Sequence, residues 1–298
     1  MLTRPLSLAL ALAALQALPL SAQAATYNAR FDALWKLGAA RDRAAPVRDL
    51  VLRRDAATIT LEQGTLYLME PVGGRVMAVV FRGAGRLRYT PATRIEQDRL
   101  RLFRKSAGYD EPFDELVLFF ADTTLAELER RLTFGAGTAP GDLTRRFREL
   151  LDYFGDEDDR YLDPDLLRPV LNDEPTGFFL AMAVQGAHDP WMFLANPHEV
   201  EGVQLLTRAR RTARTRRLEP VTQSLPQGTT RPRGEYSERR PGARIARYTM
   251  TIRLPQGGTG DLNFAADGRF EIVADSAVGP WVPFFIYDRM EVDSARWS

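Results

Sequence analysis

The sequence predicts an α+β fold in which an antiparallel β-meander and further strands pack with several helices. Residues 58–91 contain a β-rich run of alternating apolar and polar side chains and a dense apolar run at residues 76–81, and Gly73-Gly74 separates the two. Since glycine adopts the positive φ of a tight turn without strain, these two runs predict a hairpin. The order of the patterns along the chain is strands, then helices, then strands again. That order is typical of α+β folds rather than of alternating βαβ folds.

The overall composition is that of a globular protein without disulfide bonds. The 298 residues are 45% hydrophobic and 27% charged, which allows one large core or two modest ones. The formal net charge of +1 argues against a general polyanion binder. Cysteine is absent, so the chain can form neither a disulfide scaffold nor a thiolate metal site.

Residues 1–24 predict a signal peptide. Arg4 provides a short positive segment, residues 6–20 are almost uninterruptedly apolar, and an A-x-A cleavage site ends at Ala24. The apolar run is short for a bilayer span, and no later run approaches the ~18 residues that a span needs. We therefore expect export to the periplasm or beyond, with no transmembrane span after cleavage. An uncleaved membrane anchor is the alternative.

The mature chain divides into three parts by pattern. Residues 25–207 predict one α+β domain. Residues 208–243 predict an arginine- and proline-rich linker, because apolar periodicity stops there. Residues 244–298 predict an incomplete β domain, since regular alternation returns at Arg244 and only about three or four short strands fit.

Within the α+β domain, one helix is predicted to begin at Thr90-Pro91, with threonine as the cap and proline in the first turn. This helix is predicted to end near Arg104. Its predicted buried residues are Ile95, Leu102 and Phe103.

Other helices are predicted at residues 26–37 and beside three aspartates that can cap a first turn, Asp122, Asp142 and Asp163. The basic, alanine-rich stretch between the first helix and the meander is predicted as a connection. Further strands are predicted at residues 113–121, 177–185, 191–195 and 200–207.

The two histidines do not form a recognisable zinc motif. His198-Glu199 resembles the start of H-E-x-x-H, but Gly202 occupies the position of the second histidine. Pro197 and the β-like residues after Glu199 also argue against a helical setting. His188 is predicted to be a turn residue, because it lies in a His-Asp-Pro sequence.

The acidic run at residues 156–159 resembles the start of a calcium loop. Arg160 and Tyr161 occupy the next ligand and glycine positions, and Leu167 stands where the closing glutamate is required. A solvated loop between helices is the better interpretation.

The remaining candidate segments favour structural roles. Gly83-Ala84-Gly85 is predicted to be a bulge or tight turn rather than a phosphate cradle. The arginines of residues 208–217 could meet phosphate or an acidic envelope surface, but a solvated linker is favoured because the chain is nearly neutral overall. The sequence therefore predicts no catalytic, cofactor-binding or metal-ligating residue, no cofactor and no nucleic-acid partner.

One resemblance to a known family is present. The string GTLYLMEPVGGRVMAVVFRGAG at residues 64–85, with Pro91, Glu96 and FDELVLFFAD at residues 113–122, is similar to the N-terminal extension of secreted bacterial zinc aminopeptidases of the M1 family. Residues 248–293 resemble the first strands of the saddle-like β domain that follows in those proteins. The resemblance implies a noncatalytic region, because the family's G-x-M-E-N and H-E-x-x-H motifs do not occur in this sequence.

Two functional hypotheses follow. The first is an exported, noncatalytic region of an M1-like metallopeptidase that supports or positions a catalytic domain. The second is a free-standing envelope binding or scaffold protein that uses its sheet faces and aromatic residues such as Trp191 and Phe193. The implied partner is a peptidase catalytic domain in the first case and another envelope protein in the second.

Overall fold

The structure is a computed structural model that describes residues 20–155, 162–173, 175–210, 216–230, 243–253, 265–274 and 281. The first half of the described chain contains α1 (Leu20–Trp35), β1 (Ala39–Arg54), β2 (Ala57–Met69), β3 (Ala78–Tyr89), α2 (Arg94–Arg104), β4 (Tyr109–Phe120), α3 (Thr124–Arg131) and α4 (Leu143–Gly155). The second half contains α5 (Leu162–Leu171), β5 (Phe179–Val184), β6 (Trp191–Ala195), β7 (Val203–Arg210), β8 (Arg216–Ser224), β9 (Ala243–Arg253) and β10 (Ala265–Ala274).

Strands β1 to β8 form one antiparallel sheet in chain order, and β9 and β10 form a separate hairpin. The predicted α+β class is therefore confirmed. The predicted hairpin at Gly73-Gly74 is also confirmed, because Leu68 pairs with Val79 and both glycines have positive φ, 57° and 86°.

A bulge interrupts the pairing of β2 with β3, as the glycines at residues 83–85 predict. The register shifts between Leu61 and Gln63 on β2, opposite the glycine segment of β3. Gly83 has a φ of 147°, and a Cβ added there would overlap the Gln63 carbonyl oxygen. Such a bulge bends a strand and increases its twist, so this segment contributes to the curl of the sheet.

The sheet curls strongly enough for distant strands to touch. β3 and β8 are five strands apart, a separation of ~24 Å in a flat sheet, yet the Thr222 hydroxyl donates to Tyr89 Oη at 3.1 Å. Similarly, the Arg54 guanidinium of β1 lies 5.0 Å from the ring centre of Phe179 on β5. These contacts define the concave side of the sheet.

Each side of the sheet is covered by its own core. On β4, Leu116 and Leu118 point to the concave side, whereas Val117 and Phe119 point to the convex side. The concave core contains residues from all eight strands, together with Leu100 of α2. Helices α1, α4 and α5 cover the convex core.

The predicted connection before the meander is wrong, because residues 39–54 form strand β1. β1 pairs with β2 from Arg54↔Ala57 to Ala39↔Met69 and buries Val47, Leu50 and Leu52. Asp49 adopts a positive φ of 52°, so the apolar residues change from odd to even positions there. This change hides the alternation that would otherwise predict a strand.

The prediction for α2 is wrong in both its start and its buried side. Thr93, not Thr90, is the cap, and its hydroxyl accepts a hydrogen bond from the Glu96 backbone N–H at 3.3 Å. Leu100 and Glu96 are buried against the sheet. The predicted core residues are exposed instead, with exposed fractions of 73% for Ile95, 89% for Leu102 and 52% for Phe103.

The predicted linker at residues 208–243 is wrong where the structure describes strands. Residues 208–210 complete β7, and residues 216–224 form β8, which pairs with β7 from Val203↔Ser224 to Arg210↔Arg216. β8 is an edge strand of the sheet, and an edge tolerates Pro220 because its missing N–H costs no bond inside the ladder. Residues 231–242 lie outside the described residues.

The other predicted elements are confirmed with shifted ends. They are α1, the helices α3, α4 and α5, the strands β4, β5, β6 and β7, and the alternating strand β9. Most of the predicted signal peptide, the acidic run at 156–159 and much of the predicted β domain at 244–298 lie outside the described residues.

We expect Leu100→Ala and Leu102→Ala to differ sharply although the two positions lie on the same helix. Leu100 is fully buried, so its truncation should lower the free energy of unfolding by about 2–5 kcal/mol. Leu102 is exposed, so its truncation should change that free energy by less than about 0.5 kcal/mol. Urea unfolding of both variants is the measurement, and equal losses would contradict the orientation of α2.

Candidate functional site

The two histidines lie at opposite ends of strand β6. His188 is exposed in the turn before the strand, and His198 lies in the turn after it. Strand β6 has five residues, a length of roughly 17 Å. The histidines are therefore too far apart to ligate one metal ion, whose ligands lie about 2 Å from it.

His198 belongs to a buried polar cluster between α5 and the β6–β7 turn. Asn196 is 2% exposed, and its side-chain amide donates to Asp165 at 2.7 Å and to Glu199 at 3.1 Å. Arg168 Nη1 lies 3.1 Å from His198 Nδ1. Because a guanidinium can only donate, this imidazole nitrogen acts as an acceptor, and its lone pair is directed at a cation. The cluster fixes α5 to the sheet and opposes metal binding at Nδ1.

A second polar cluster fixes α4 to the sheet. Arg82 of β3 contacts both carboxylate oxygens of Asp142 at 2.8 and 3.0 Å, and Glu115 of β4 accepts from Arg146 at 2.8 Å. The hydrogen bond from Arg82 lowers the pKa of Asp142, and the same bond raises the pKa of Arg82. Asp142 directly precedes α4, as predicted. Its carboxylate forms an ion pair with Arg82.

In the part of the chain that the structure describes, no group of three or more histidine and carboxylate side chains could hold a metal ion. A cavity of about 310 Å³ lies beside the β2–β3 hairpin, and Arg43, Arg75 and Asp122 are among its lining residues. Each of these three has an ion-pair partner, namely Glu129, Asp173 and Arg54. The charged side chains that line the cavity therefore already form ion pairs within the protein.

The aromatic residues of the second hypothesis lie in different environments. Phe193 is fully buried in the concave core. Trp191 is half-buried, with the Tyr109 ring at 4.8 Å and the Arg104 guanidinium at 5.0 Å from its ring centre. Burial raises the pKa of Tyr109, which keeps its hydroxyl neutral. Trp191 and Arg104 are partly exposed, whereas Tyr109 and Phe193 are buried.

The hairpin of β9 and β10 has two chemically distinct faces. An extra residue, Ala246, interrupts the register between Arg247↔Glu271 and Ile245↔Ile272. Directly opposed residues of an antiparallel pair share a face, so this bulge places Ile245 on the same face as Tyr248. The apolar hairpin face consists of Ile245, Tyr248, Met250, Ile252 and Ile272.

The opposite face of the hairpin is polar. It carries Arg253 paired with Asp267 at 2.7 Å and Arg247 near Glu271 at 4.0 Å. Cross-strand pairs of this kind are typical of a solvated face.

The apolar hairpin face is exposed rather than packed. Its exposed fractions are 46% for Ile245, 67% for Tyr248, 44% for Met250 and 55% for Ile252. An isolated two-stranded hairpin is marginal in water, because it needs a further strand or layer against its apolar side. This face is therefore the strongest candidate for an interaction site. The predicted alternation at 244–254 located the strand, but the bulge hid which residues share a face.

Trp281 contacts the main body through its backbone and its ring. Its backbone N–H donates to Asn172 Oδ1 at 2.9 Å, and its carbonyl accepts from Asn172 Nδ2 at 3.2 Å. Its ring stacks on Tyr27 of α1, with ring centres 5.8 Å apart. Trp281 is thus held against α1 and the end of α5.

No family model, curated protein or solved structure matches this chain. Among the helices of the described ranges, none is long and apolar enough to cross a membrane.

We expect the purified chain to retain no stoichiometric zinc after dialysis and to hydrolyse no aminoacyl substrate. The reason is that His198 faces Arg168, and His188 lies at the other end of β6. Metal analysis and a chromogenic aminopeptidase assay are the measurements. Chelator-sensitive turnover that His198→Ala abolished and the matched His188→Ala left intact would contradict this expectation.

Proposed function

We propose that this chain is an exported, noncatalytic support module of an M1 aminopeptidase-like protein. In this proposal the apolar hairpin face packs against a catalytic zinc-peptidase domain and helps to position it. The single observation that carries the proposal is the apolar face itself, which is two-thirds exposed at Tyr248, whereas the opposite face carries cross-strand ion pairs. Covering the remaining exposed area of each large side chain would contribute on the order of 1 kcal/mol.

The main body supports the proposal because its sheet is already filled on both sides. The concave core closes on itself through Tyr89 and Thr222, and helices cover the convex core. Such a body is suited to act as a rigid base, and its contacts with a partner must lie on outward surfaces. Trp281, which follows the hairpin in the chain, is bound to this base at Asn172.

The similarity of residues 64–85 and 113–122 to the extension of M1 enzymes supports the choice of partner. In the structure these segments are the β2–β3 hairpin and strand β4, which lie side by side in the sheet. They are core strands, so the resemblance concerns the supporting fold and not a catalytic site.

The second candidate function is a free-standing envelope binding or scaffold protein. The observation that favours it is the half-buried ring of Trp191 beside the Arg104 guanidinium, which together could contact a peptide. The two candidates differ in partner and in surface, so one labelling experiment can distinguish them.

A photo-crosslinking benzoylphenylalanine at Tyr248, on the apolar hairpin face, should form an adduct with a zinc-peptidase catalytic domain in the producing cells. The same residue at Thr249, on the polar face, is the matched control and should give little adduct. Mass spectrometry of the adduct identifies the partner, whether on the same polypeptide or a separate one. No adduct at 248, or equal adducts at 248 and 249, would contradict the proposal. A crosslink from Trp191 to an unrelated envelope protein would support the second candidate.

A further inference from the structure

The outward side of α2 carries the most exposed large apolar side chains of the described residues. Leu102 is 89% exposed and Ile95 is 73% exposed. They are seven residues apart, which is two helical turns, so they lie on the same side of the helix. Phe103 beside them is 52% exposed. Ile95 and Leu102 form an uncovered apolar ridge, and Phe103 borders it with its ring centre 6.1 Å from that of Trp191.

Basic residues flank this ridge. Residues 94–105 contain five basic side chains and two acidic ones. One acid, Glu96, is turned inward, where its carboxylate accepts from the Gln223 backbone N–H at 2.7 Å. Asp98 is the remaining acid on the outward side, and Arg94 and Arg101 both pair with it. Helical spacing places Arg99 on the opposite flank of the ridge, where its guanidinium lies 3.6 Å from the Glu96 carboxylate.

The inner side of α2 is packed against the sheet. The helix therefore cannot rotate to bury the apolar ridge. Leu100 is fully buried and Thr93 caps the helix start. At the other end, Arg104 pairs with Glu111 and stacks on Trp191. The apolar ridge is thus a fixed, convex feature of the surface.

We propose that the outward side of α2 is a docking surface for an anionic lipid bilayer. Leucine, isoleucine and phenylalanine on a helix flanked by arginine and lysine are the composition of an interfacial helix, which inserts its apolar side between headgroups. The basic flanks complement the negative surface of a bilayer with anionic lipids. A convex ridge fits a deformable bilayer better than a rigid protein surface, which would need a matching groove. With three apolar side chains, the binding is reversible. This inference goes beyond the proposed support function and does not depend on it.

The absence of cysteine allows a direct test on the full chain. A single Leu102→Cys variant carries an environment-sensitive NBD fluorophore, and Ala126→Cys on the exposed side of α3 is the matched control. With vesicles of phosphatidylglycerol and phosphatidylcholine, the label at 102 should shift to shorter wavelength and gain intensity, and the label at 126 should not. Because the label reports its own surroundings, attachment through another segment of the chain does not produce this difference.

The charge dependence is tested by removing two arginines. Arg94→Gln with Arg99→Gln should weaken vesicle binding of the labelled chain by about fivefold for each arginine. Arg53→Gln with Arg130→Gln removes two exposed arginines from other elements and should weaken it less than twofold.

Three results would overturn the proposal. The first is an unchanged label at 102 with every vesicle. The second is an equal shift with purely phosphatidylcholine vesicles, which would remove the anionic requirement. The third is a shift without vesicles that grows with protein concentration, which would identify a second copy of this chain as the occupant.

Discussion

The curl of the eight-stranded sheet is the constraint on which the rest of the structure depends. It brings Thr222 of β8 to Tyr89 of β3, across five strand positions. The concave side then fills with its own side chains, and burial raises the pKa of Tyr89 so that its hydroxyl stays protonated. The same curl brings α2 against β8, where Glu96 accepts the Gln223 N–H, and so turns Leu102 towards solvent.

Because both sides of the sheet are filled by the protein's own side chains, a partner can bind only to the outer surface. The two polar clusters, around Asn196 and around Glu115, are occupied in fixing α5 and α4 to the convex side. Both combine buried charges with several hydrogen bonds, the arrangement in which removing one partner is costly. Among the described residues, two uncovered apolar surfaces, one on the hairpin and one on α2, differ in kind. The hairpin offers a flat sheet face suited to another protein layer, whereas α2 offers a narrow ridge with basic flanks.

Local sequence patterns predicted many of the strands. The features that they did not predict depend on contacts between residues far apart in the chain. The glycine pair Gly73-Gly74 predicted its hairpin because turn chemistry is local. β1 was missed because Asp49 shifts the alternation, and β8 was missed because Pro220 and many arginines are acceptable only at an edge. The buried side of α2 depends on β8, more than a hundred residues later, so Leu102 was assigned to the core. The apolar hairpin face depends on one bulged residue, Ala246.

The most direct test of this account is a double-mutant cycle between Tyr89→Phe and Thr222→Val. Both substitutions remove a hydroxyl with little change of shape, so the cycle isolates the contact that closes the sheet. Urea unfolding of the four proteins should give a coupling free energy of about 1 kcal/mol, as expected for a buried hydrogen bond. A coupling of zero within about 0.3 kcal/mol would mean that β8 does not reach β3, and it would contradict the curled sheet.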